Sequence, residues 1–255
     1  MHKFFVDKNS ITDNEAIIEG EDVKHIYKVL RLQSGEKVSI NNCEGKEYLG
    51  EISDINKKTV VVKIKEELAV NNESTVNIFL FQGLPKSSKM DLIVQKATEL
   101  GVKEITPVIT KRVDVKAEAG EFKKADRWSR IALEACKQCK RTLLPKVNLP
   151  MQFEELVEKL KDMDLVIVPY ENEDGFGIKN VAAQLGQGRE SINNIAVIIG
   201  PEGGFEQEEI DELKEKGSHI VTLGPRILRT ETAGFVCVSL LMYELGDIGG
   251  SGGLI

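Results

Sequence analysis

The sequence lacks the signatures of phosphate-binding nucleotide sites, of membrane spans and of secretion. It contains no G-x-x-x-x-G-K-[ST] motif, and its nearest approach to G-x-G-x-x-G, at Gly175 and Gly177, ends in Asn180. No apolar run approaches the length of a membrane span, and the first residues lack the apolar core of a signal peptide. We therefore expect a cytoplasmic protein without a membrane segment.

Metal-ligating residues are also scarce, with four cysteines and three histidines in 255 residues. Cys136 and Cys139 form a lone C-x-x-C in a predicted helix, where this spacing simply puts both on one face. A structural zinc needs four ligands, and no second pair is present. We therefore expect no metal site, and cysteines without a pairing pattern suit a reducing cytosol.

Charge is distributed unevenly along the chain. The formal net charge is −7, yet residues 86–146 contain fifteen Lys and Arg against eight Asp and Glu. A basic tract on an acidic protein is typical of a face that docks a phosphate backbone. A pair of solvated helices with mixed charge would explain the same counts.

The first part of the chain is rich in β-forming segments separated by turn residues. Strands are predicted at 3–6, 16–19, 37–40, 47–52 and 59–64. Between them, Val23, Ile26, Val29 and Leu30 fall on one face of a predicted helix over 22–32. The pattern indicates a small β-barrel with one helix, and barrels of this kind often bind nucleic acid.

After a polar, charged linker predicted at 65–74, strands alternate with longer helices. Strands are predicted at 77–81, 105–109, 165–168, 195–199 and 220–223, and helices at 88–100, 122–140, 206–216 and from about 231. Such alternation predicts a parallel sheet covered on both faces. We therefore expect an α/β fold with a small domain over 1–72, a larger domain over 73–246 and a frayed tail over 247–255.

Two glycine-containing strand ends stand out. The runs I-A-V-I-I-G-P-E-G-G-F and H-I-V-T-L-G-P-R-I-L-R-T-E-T-A-G each end a buried strand in Gly-Pro, at Gly200 and Gly224. These ends should open side by side at the carboxyl edge of the sheet, where open α/β sheets bind ligands. The acidic start of the helix after Gly204 favours a ligand without phosphates. Ordinary strand-to-helix turns would also explain the spacing, but the polar content of the second loop favours a site.

These two runs together resemble the ribosomal RNA small-subunit methyltransferase E family, the uridine-N3 methyltransferases of the SPOUT class. Further matches are H-x-x-K-V-L-R-L, L-P-K-x-x-K-M-D-L-I-V-Q-K-A-T-E-L-G-V and R-W-x-R-I-A-x-E-A-x-x-Q-x-x-R, so the resemblance extends over residues 4–245. It implies a PUA-like RNA-binding barrel followed by a SPOUT domain with a C-terminal trefoil knot. Pattern alone would predict an unknotted sheet.

The resemblance implies S-adenosyl-L-methionine as cofactor, 16S ribosomal RNA of the small subunit as partner, and a homodimer. The apolar side of the helix over 232–245 could form the dimer interface, although burial within one chain explains the same residues. The expected donor-binding residues are Glu171, Gly200, Pro201, Glu202, Gly203, Leu223, Gly224, Ile227, Leu228 and Thr230. Arg229 is expected to stabilise negative charge on the base and Glu231 to take the uridine proton. A salt bridge that holds the loop closed is the alternative for Glu231.

Six cations are the expected RNA contacts: Lys3, Arg31, Lys86, Lys89, Arg112 and Arg141. Cations near the end of the first helix, such as Arg31, also suit the helix dipole. Two other functions use the same fold. One is methylation of transfer RNA, and the other is a non-catalytic RNA-binding role in ribosome assembly.

Overall fold

The structure is a computed structural model that describes residues 1–70, 72–86, 89–113 and 122–250. The last part of the predicted tail, 251–255, therefore lies outside the described residues. The chain divides into two compact units. The first comprises Met1–Glu73 with Cys136–Leu144, and the second comprises Ser74–Ala135 with Pro145–Ile255. No pattern in the sequence indicated that residues 136–144 belong with the first unit.

The first unit is a five-stranded sheet with one helical segment. Its strands are β1 (His2–Phe5), β2 (Glu15–Glu19), β3 (Lys37–Asn41), β4 (Glu47–Ile55) and β5 (Thr59–Leu68), in the order β1-β3-β4-β5-β2. A 3-10 turn (Lys8–Ser10) follows β1, and helix α1 (Glu21–Lys24) runs directly into a π-helix (His25–Leu30). Alternate residues such as Ala16 and Ile18 on β2 and Val60 and Val62 on β5 form the core.

Two sequence predictions fail in this unit. Val29 was expected on the buried stripe but is 66% exposed. A π-helix closes its hydrogen bonds over five residues instead of four, so Val29 rotates away from Val23 and Ile26. The predicted linker begins too early, because β5 continues to Leu68. Its charged residues stay in the strand because β5 pairs with β4 as far as Leu68, which lies opposite Glu47.

The second unit is a parallel sheet with helices. Its strands are β6 (Asn77–Gly83), β7 (Glu104–Ile109), β8 (Lys146–Val147), β9 (Met151–Gln152), β10 (Leu165–Pro169), β11 (Asn194–Ile199) and β12 (His219–Val221). The helices are α2 (Lys89–Glu99), α3 (Phe122–Cys139, of which the last four residues count with the first unit), α4 (Phe153–Lys159), α5 (Ile178–Leu185), α6 (Gln207–Glu215) and α7 (Thr230–Leu245). Short 3-10 segments occupy Leu160–Asp162 and Gly186–Ser191. The predicted alternating α/β architecture is confirmed.

Burial on both faces of this sheet explains its apolar strands. Ala196 and Ile198 on β11 pack in one cluster with Leu156 of α4 and Ile210 of α6, whereas the neighbouring Val197 is fully buried on the opposite face. Within the described residues, no helix has both the length and the apolar character needed to cross a membrane.

Strand order corrects one expectation about the site. The sheet runs β12-β10-β11-β6-β7-β8, with β9 also paired to β7. The two strands that end in glycine loops, β11 and β12, are therefore not neighbours. Strand β10 lies between them because Ile167 pairs in parallel register with Val197 on one side and His219 on the other. Three strand ends, not two, meet at this part of the edge.

Candidate active site

A cavity of about 470 Å³ lies at the carboxyl ends of β10, β11 and β12. We call its walls the Glu171 loop (170–177), the first glycine loop (200–206) and the second glycine loop (222–229). The predicted residues that line it are Lys89, Glu171, Gly200, Pro201, Glu202, Leu223, Gly224, Ile227, Leu228, Arg229 and Thr230. The volume is in the range of small-molecule sites.

Close backbone approaches shape the first glycine loop. A Cβ added at Gly83, the last residue of β6, would lie 2.4 Å from the backbone nitrogen of Pro201. Gly204 has a φ of +71°, and an added Cβ there would lie 2.8 Å from a carboxylate oxygen of Glu171. Glycine at these two positions lets the loop pack against β6 and against the Glu171 loop.

A buried hydrogen-bond chain joins the first glycine loop to the start of α7. The Thr230 hydroxyl donates to the Gly200 carbonyl at 2.6 Å, and the Gln82 side-chain amide donates to the Thr230 hydroxyl at 2.8 Å. Gln82 also donates to the Gly83 carbonyl at 3.1 Å and is fully buried. Sequence reasoning missed Gln82. The available signal was a lone amide at the end of the apolar strand I-F-L-F.

Lys89 connects the first glycine loop with α7. Its ammonium lies 2.9 Å from one carboxylate oxygen of Glu202 and 3.6 Å from one of Glu231. Glu202 also accepts the Lys86 backbone N–H at 3.1 Å. Partial burial would raise the pKa of Glu202, but the hydrogen bonds from Lys89 and from backbone amides outweigh it and hold that pKa below its usual value. Hydrogen bonding to Glu202 correspondingly raises the pKa of Lys89.

Two residues predicted at the site do not line the cavity. The carboxylate of Glu231 faces Lys89 instead, which is the arrangement of the alternative salt bridge. Gly203 faces Arg112, since a Cβ added at Gly203 would lie 3.1 Å from the Arg112 Cβ. Gly203 therefore supports the loop from behind.

Arg112 holds the outer side of the first glycine loop. Its Nε and Nη2 donate to the two carboxylate oxygens of Glu206 at 2.8 and 3.0 Å, and its Nη1 donates to the Gly203 carbonyl at 2.9 Å. The hydrogen bonds from Arg112 lower the pKa of Glu206. The acidic start of α6 is thus partly neutralised, since Lys111 also pairs with Glu208.

The second glycine loop has few internal bonds. In the described part of the chain, the backbone amides of Leu223, Ile227 and Leu228 have no backbone partner, whereas Gly224 donates to the Thr222 hydroxyl at 3.2 Å. Unpaired amides in a cavity wall are available to a ligand. The Arg229 side chain is exposed and forms no hydrogen bond or ion pair with another described residue.

The remaining predicted RNA contacts lie in the first unit and differ in exposure. The Lys3 ammonium pairs with Glu47 at 2.6 Å. The Arg141 guanidinium is bound by Glu73 at 2.8 Å, and its side chain is only 6% exposed. A phosphate could bind Arg141 only by displacing this ion pair, so the RNA contact of Arg141 stays a prediction. Arg31 is exposed and has a left-handed φ of 54°.

No group of three or more potential metal ligands occurs among the residues that the structure describes. Each cysteine has a free thiol, and burial raises the pKa of Cys43 to about 11 and of Cys136 to about 12. The Cys43 and Cys136 thiols are therefore protonated at neutral pH.

Comparisons with known proteins agree with the motifs. A family model described as an RNA methyltransferase domain matches residues 72–242, and one described as an RNA methyltransferase PUA domain matches residues 18–65. Ribosomal RNA small subunit methyltransferase E of Bacillus subtilis is 32% identical, covering 96% of this chain and 97% of its own length. The same-named protein of Aquifex aeolicus is 34% identical over 95% of this chain and 99% of its own length.

Solved structures match over nearly all of the chain. A ribosomal RNA small subunit methyltransferase E from Neisseria gonorrhoeae bound to S-adenosyl methionine has a TM-score of 0.84 and 29% identity, covering 97% of this chain and 99% of that chain. A methyltransferase structure from Legionella pneumophila in complex with the same cofactor has a TM-score of 0.83 and 33% identity, covering 96% and 98%. The chain belongs to the ribosomal RNA small subunit methyltransferase E family.

Proposed function

We propose that this protein transfers the methyl group of S-adenosyl-L-methionine to N3 of a uridine in 16S ribosomal RNA. The observation that carries the proposal is the cavity at three strand ends, walled by glycine loops, in a chain that matches a cofactor-bound methyltransferase structure over 97% of its length. Nucleoside mass spectrometry of 16S RNA from cells with and without the gene tests it. Unchanged N3-methyluridine content in the deletion strain would exclude this reaction.

The donor is proposed to bind between the two glycine loops. Unpaired amides of Leu223, Ile227 and Leu228 suit an uncharged adenosine, because a neutral ring is recognised through hydrogen bonds to the backbone. Glu171, at the rim, suits the cationic part of the cofactor. We propose that Gly200, Pro201, Glu202, Gly224 and Thr230 form the wall of the donor site and that Gly203 supports this wall.

The reaction is an in-line displacement. The bond from N3 to the methyl carbon forms as the carbon–sulfur bond breaks, the N3 proton passes to a base, for which Glu231 is the candidate, and S-adenosylhomocysteine is the product. Holding donor and acceptor in line contributes several kcal/mol. Arg229 is proposed to face the negative charge that develops on the uracil carbonyls, since its guanidinium has no partner among the described residues.

Glu231 has two proposed roles that one substitution separates. The 3.6 Å approach of Lys89 supports a salt bridge that holds α7 to α2. If Glu231 instead takes the uridine proton, Glu231→Gln will abolish turnover while the melting temperature stays unchanged. If the salt bridge is its role, Glu231→Gln will lower the melting temperature and keep most of the turnover.

RNA binding is proposed for the first unit, where Arg31 is exposed and the PUA model matches. We propose domain boundaries at 1–72 and 73–246, with Lys3, Lys86, Lys89 and Arg112 as additional contacts only where RNA displaces their present partners. The substrate would be the small ribosomal subunit or its RNA in the cytoplasm. Exposed Leu240 and Tyr243 on α7 support a proposed homodimer.

A further inference from the structure

The first unit carries an exposed surface that the cavity chemistry does not use. We call it the π-helix surface. It consists of the exposed residues of the π-helix and the two residues that flank the helix. They are Lys24, His25, Tyr27, Lys28, Val29 and Arg31. Tyr27 is 57% exposed and Val29 is 66% exposed, so an aromatic ring and an apolar side chain stand among cations.

Backbone geometry produces this exposure. The segment between Lys24 and Arg31 is a π-helix over its whole length, and Arg31 ends it with φ 54° and ψ 37°. A left-handed non-glycine residue and a π-helix are both less favourable than a regular helix, and both occur mostly at functional sites. Ile26 alone anchors the turn as a fully buried residue, which leaves Tyr27 outside the core.

The charges on this surface are of one sign. Residues 24–31 contain three Lys and Arg and no Asp or Glu. Within the described residues, Lys24, Lys28 and Arg31 form no ion pair, so their charges are available to a partner. A surface with unneutralised cations around an aromatic ring is complementary to a nucleic acid.

Cations elsewhere in the same unit are mixed. Lys3 pairs with Glu47 and Lys46 pairs with Glu67 at 3.0 Å, whereas Lys57 and Lys58 form no ion pair with another described residue. The π-helix surface is therefore distinguished by three unpaired cations close together in sequence around an exposed tyrosine. Their combination with an exposed tyrosine favours RNA over an apolar protein partner, because a protein interface of this kind would bring acidic residues to neutralise them.

We propose that the π-helix surface binds an unpaired segment of the substrate RNA, with the Tyr27 ring stacked on a base and Lys28 and Arg31 on neighbouring phosphates. The inference rests on the proposed function and adds the form of RNA that the first unit recognises. Base faces are accessible in loops and bulges but not inside a duplex, so an exposed aromatic ring selects unpaired nucleotides.

Fluorescence anisotropy with the full-length protein tests this. The probe is a labelled stem-loop RNA with uridines in its loop, compared with the same strand annealed to its complement. We expect Tyr27→Ala to weaken stem-loop binding about tenfold and to leave duplex binding within about twofold. Tyr27→Phe, the matched control, keeps the ring and should retain wild-type affinity for both RNAs.

Two variants, each of which removes one lysine charge, test the phosphate contacts. Lys28→Gln should reduce the slope of log affinity against log salt by about one unit or slightly less. Lys57→Gln is the matched control, because Lys57 is also an exposed lysine, in the turn between β4 and β5. An equal change of slope in both variants would reduce the effect to general surface charge and overturn the assignment.

Other outcomes also decide the proposal. An unchanged stem-loop affinity in Tyr27→Ala, or an equal loss for stem-loop and duplex, overturns it. A change in sedimentation of Tyr27→Ala without RNA would identify the surface as a protein interface and overturn it as well. Should Tyr27→Ala fold poorly by circular dichroism, photocrosslinking of wild-type protein to a 4-thiouridine stem-loop replaces it, and an adduct outside residues 24–31 counts against the proposal.

Calorimetry with S-adenosyl-L-methionine separates this inference from the proposed function. All variants of the π-helix surface should bind the cofactor with wild-type affinity. If the wild-type protein itself fails to bind the cofactor, the methyltransferase proposal falls. The stem-loop preference can still be measured in that case. Its loss in Tyr27→Ala would still support RNA binding by the π-helix surface.

Discussion

The first and second glycine loops lie at the same carboxyl edge of the sheet, but their contacts with the rest of the protein differ greatly. Side chains from elsewhere fix the first loop: Thr230 binds Gly200, Lys89 binds Glu202 and Arg112 binds Glu206. The second loop has unpaired amides and exposed arginines. The difference indicates a preformed wall on one side of the cavity and, on the other, a wall whose polar groups are free to bind ligand and substrate.

The largest expected effect belongs to the second loop. Arg229→Ala should lower single-turnover methylation by about 10²–10³-fold, because it removes a charge that acts on the transition state, while cofactor affinity by calorimetry stays within about twofold. Arg226→Ala is the matched control, as an exposed arginine of the same loop. Parallel losses of turnover and cofactor affinity would assign Arg229 to the donor pocket instead.

The second largest effect is expected at Gly83, where β6 approaches the first glycine loop closely. Gly83→Ala puts a Cβ 2.4 Å from the Pro201 nitrogen, so the loop must move. We expect about tenfold weaker cofactor binding and a loss of about 1–3 kcal/mol in the free energy of unfolding, measured by calorimetry and urea denaturation. Gly188→Ala, where an added Cβ meets nothing within 4 Å, should change neither. An unaltered Gly83→Ala protein would mean that the first loop adapts freely.

The buried hydrogen-bond chain should matter for stability. Thr230→Val removes the hydroxyl that joins Gln82 to Gly200, which leaves a buried amide and a carbonyl without that partner. We expect a cost of about 1–3 kcal/mol in the free energy of unfolding. Thr230→Ser keeps the hydroxyl and should recover most of it. Equal destabilisation by both substitutions would point to lost methyl packing instead of the hydrogen bonds.

The smallest effect is a pH dependence from Glu202. Because its folded-state pKa is lowered, its stabilising contribution is present above the unfolded-state pKa and is lost as pH falls through the folded-state pKa. Its side chain is 28% exposed, so we expect less than about 1 kcal/mol. Urea denaturation across acidic pH should show a shallower loss of stability in Glu202→Gln than in wild type. Identical curves would mean that the ion pair with Lys89 adds nothing.

Local sequence patterns predicted most helices and strands, but few of the contacts between distant residues. Apolar runs and glycine stops predicted β10, β11 and α6 to within one residue. The short strands β8 and β9 carry too few residues for any periodicity, and neither they nor the helices α4 and α5 were predicted. The trefoil knot implied by the resemblance stays a prediction.

For the site, the sequence identified residues without their orientations. It assigned Lys89 and Arg112 to RNA, whereas the structure pairs them with carboxylates of the first glycine loop and α7. It left open whether Glu231 takes the uridine proton or forms a salt bridge. Charge alone cannot distinguish a cation that faces solvent from one that faces a carboxylate more than ninety positions away.

By itself, the sequence determined the architecture, the family and the two glycine loops, because these depend on hydrophobic period and on residues adjacent in the chain. Only the tertiary structure decided that β10 separates the loops, that Gln82 reaches Thr230 across 148 positions, and that Val29 leaves the core. The physical reason is that pairing between distant segments is set by the packing of the whole sheet, which no local pattern encodes.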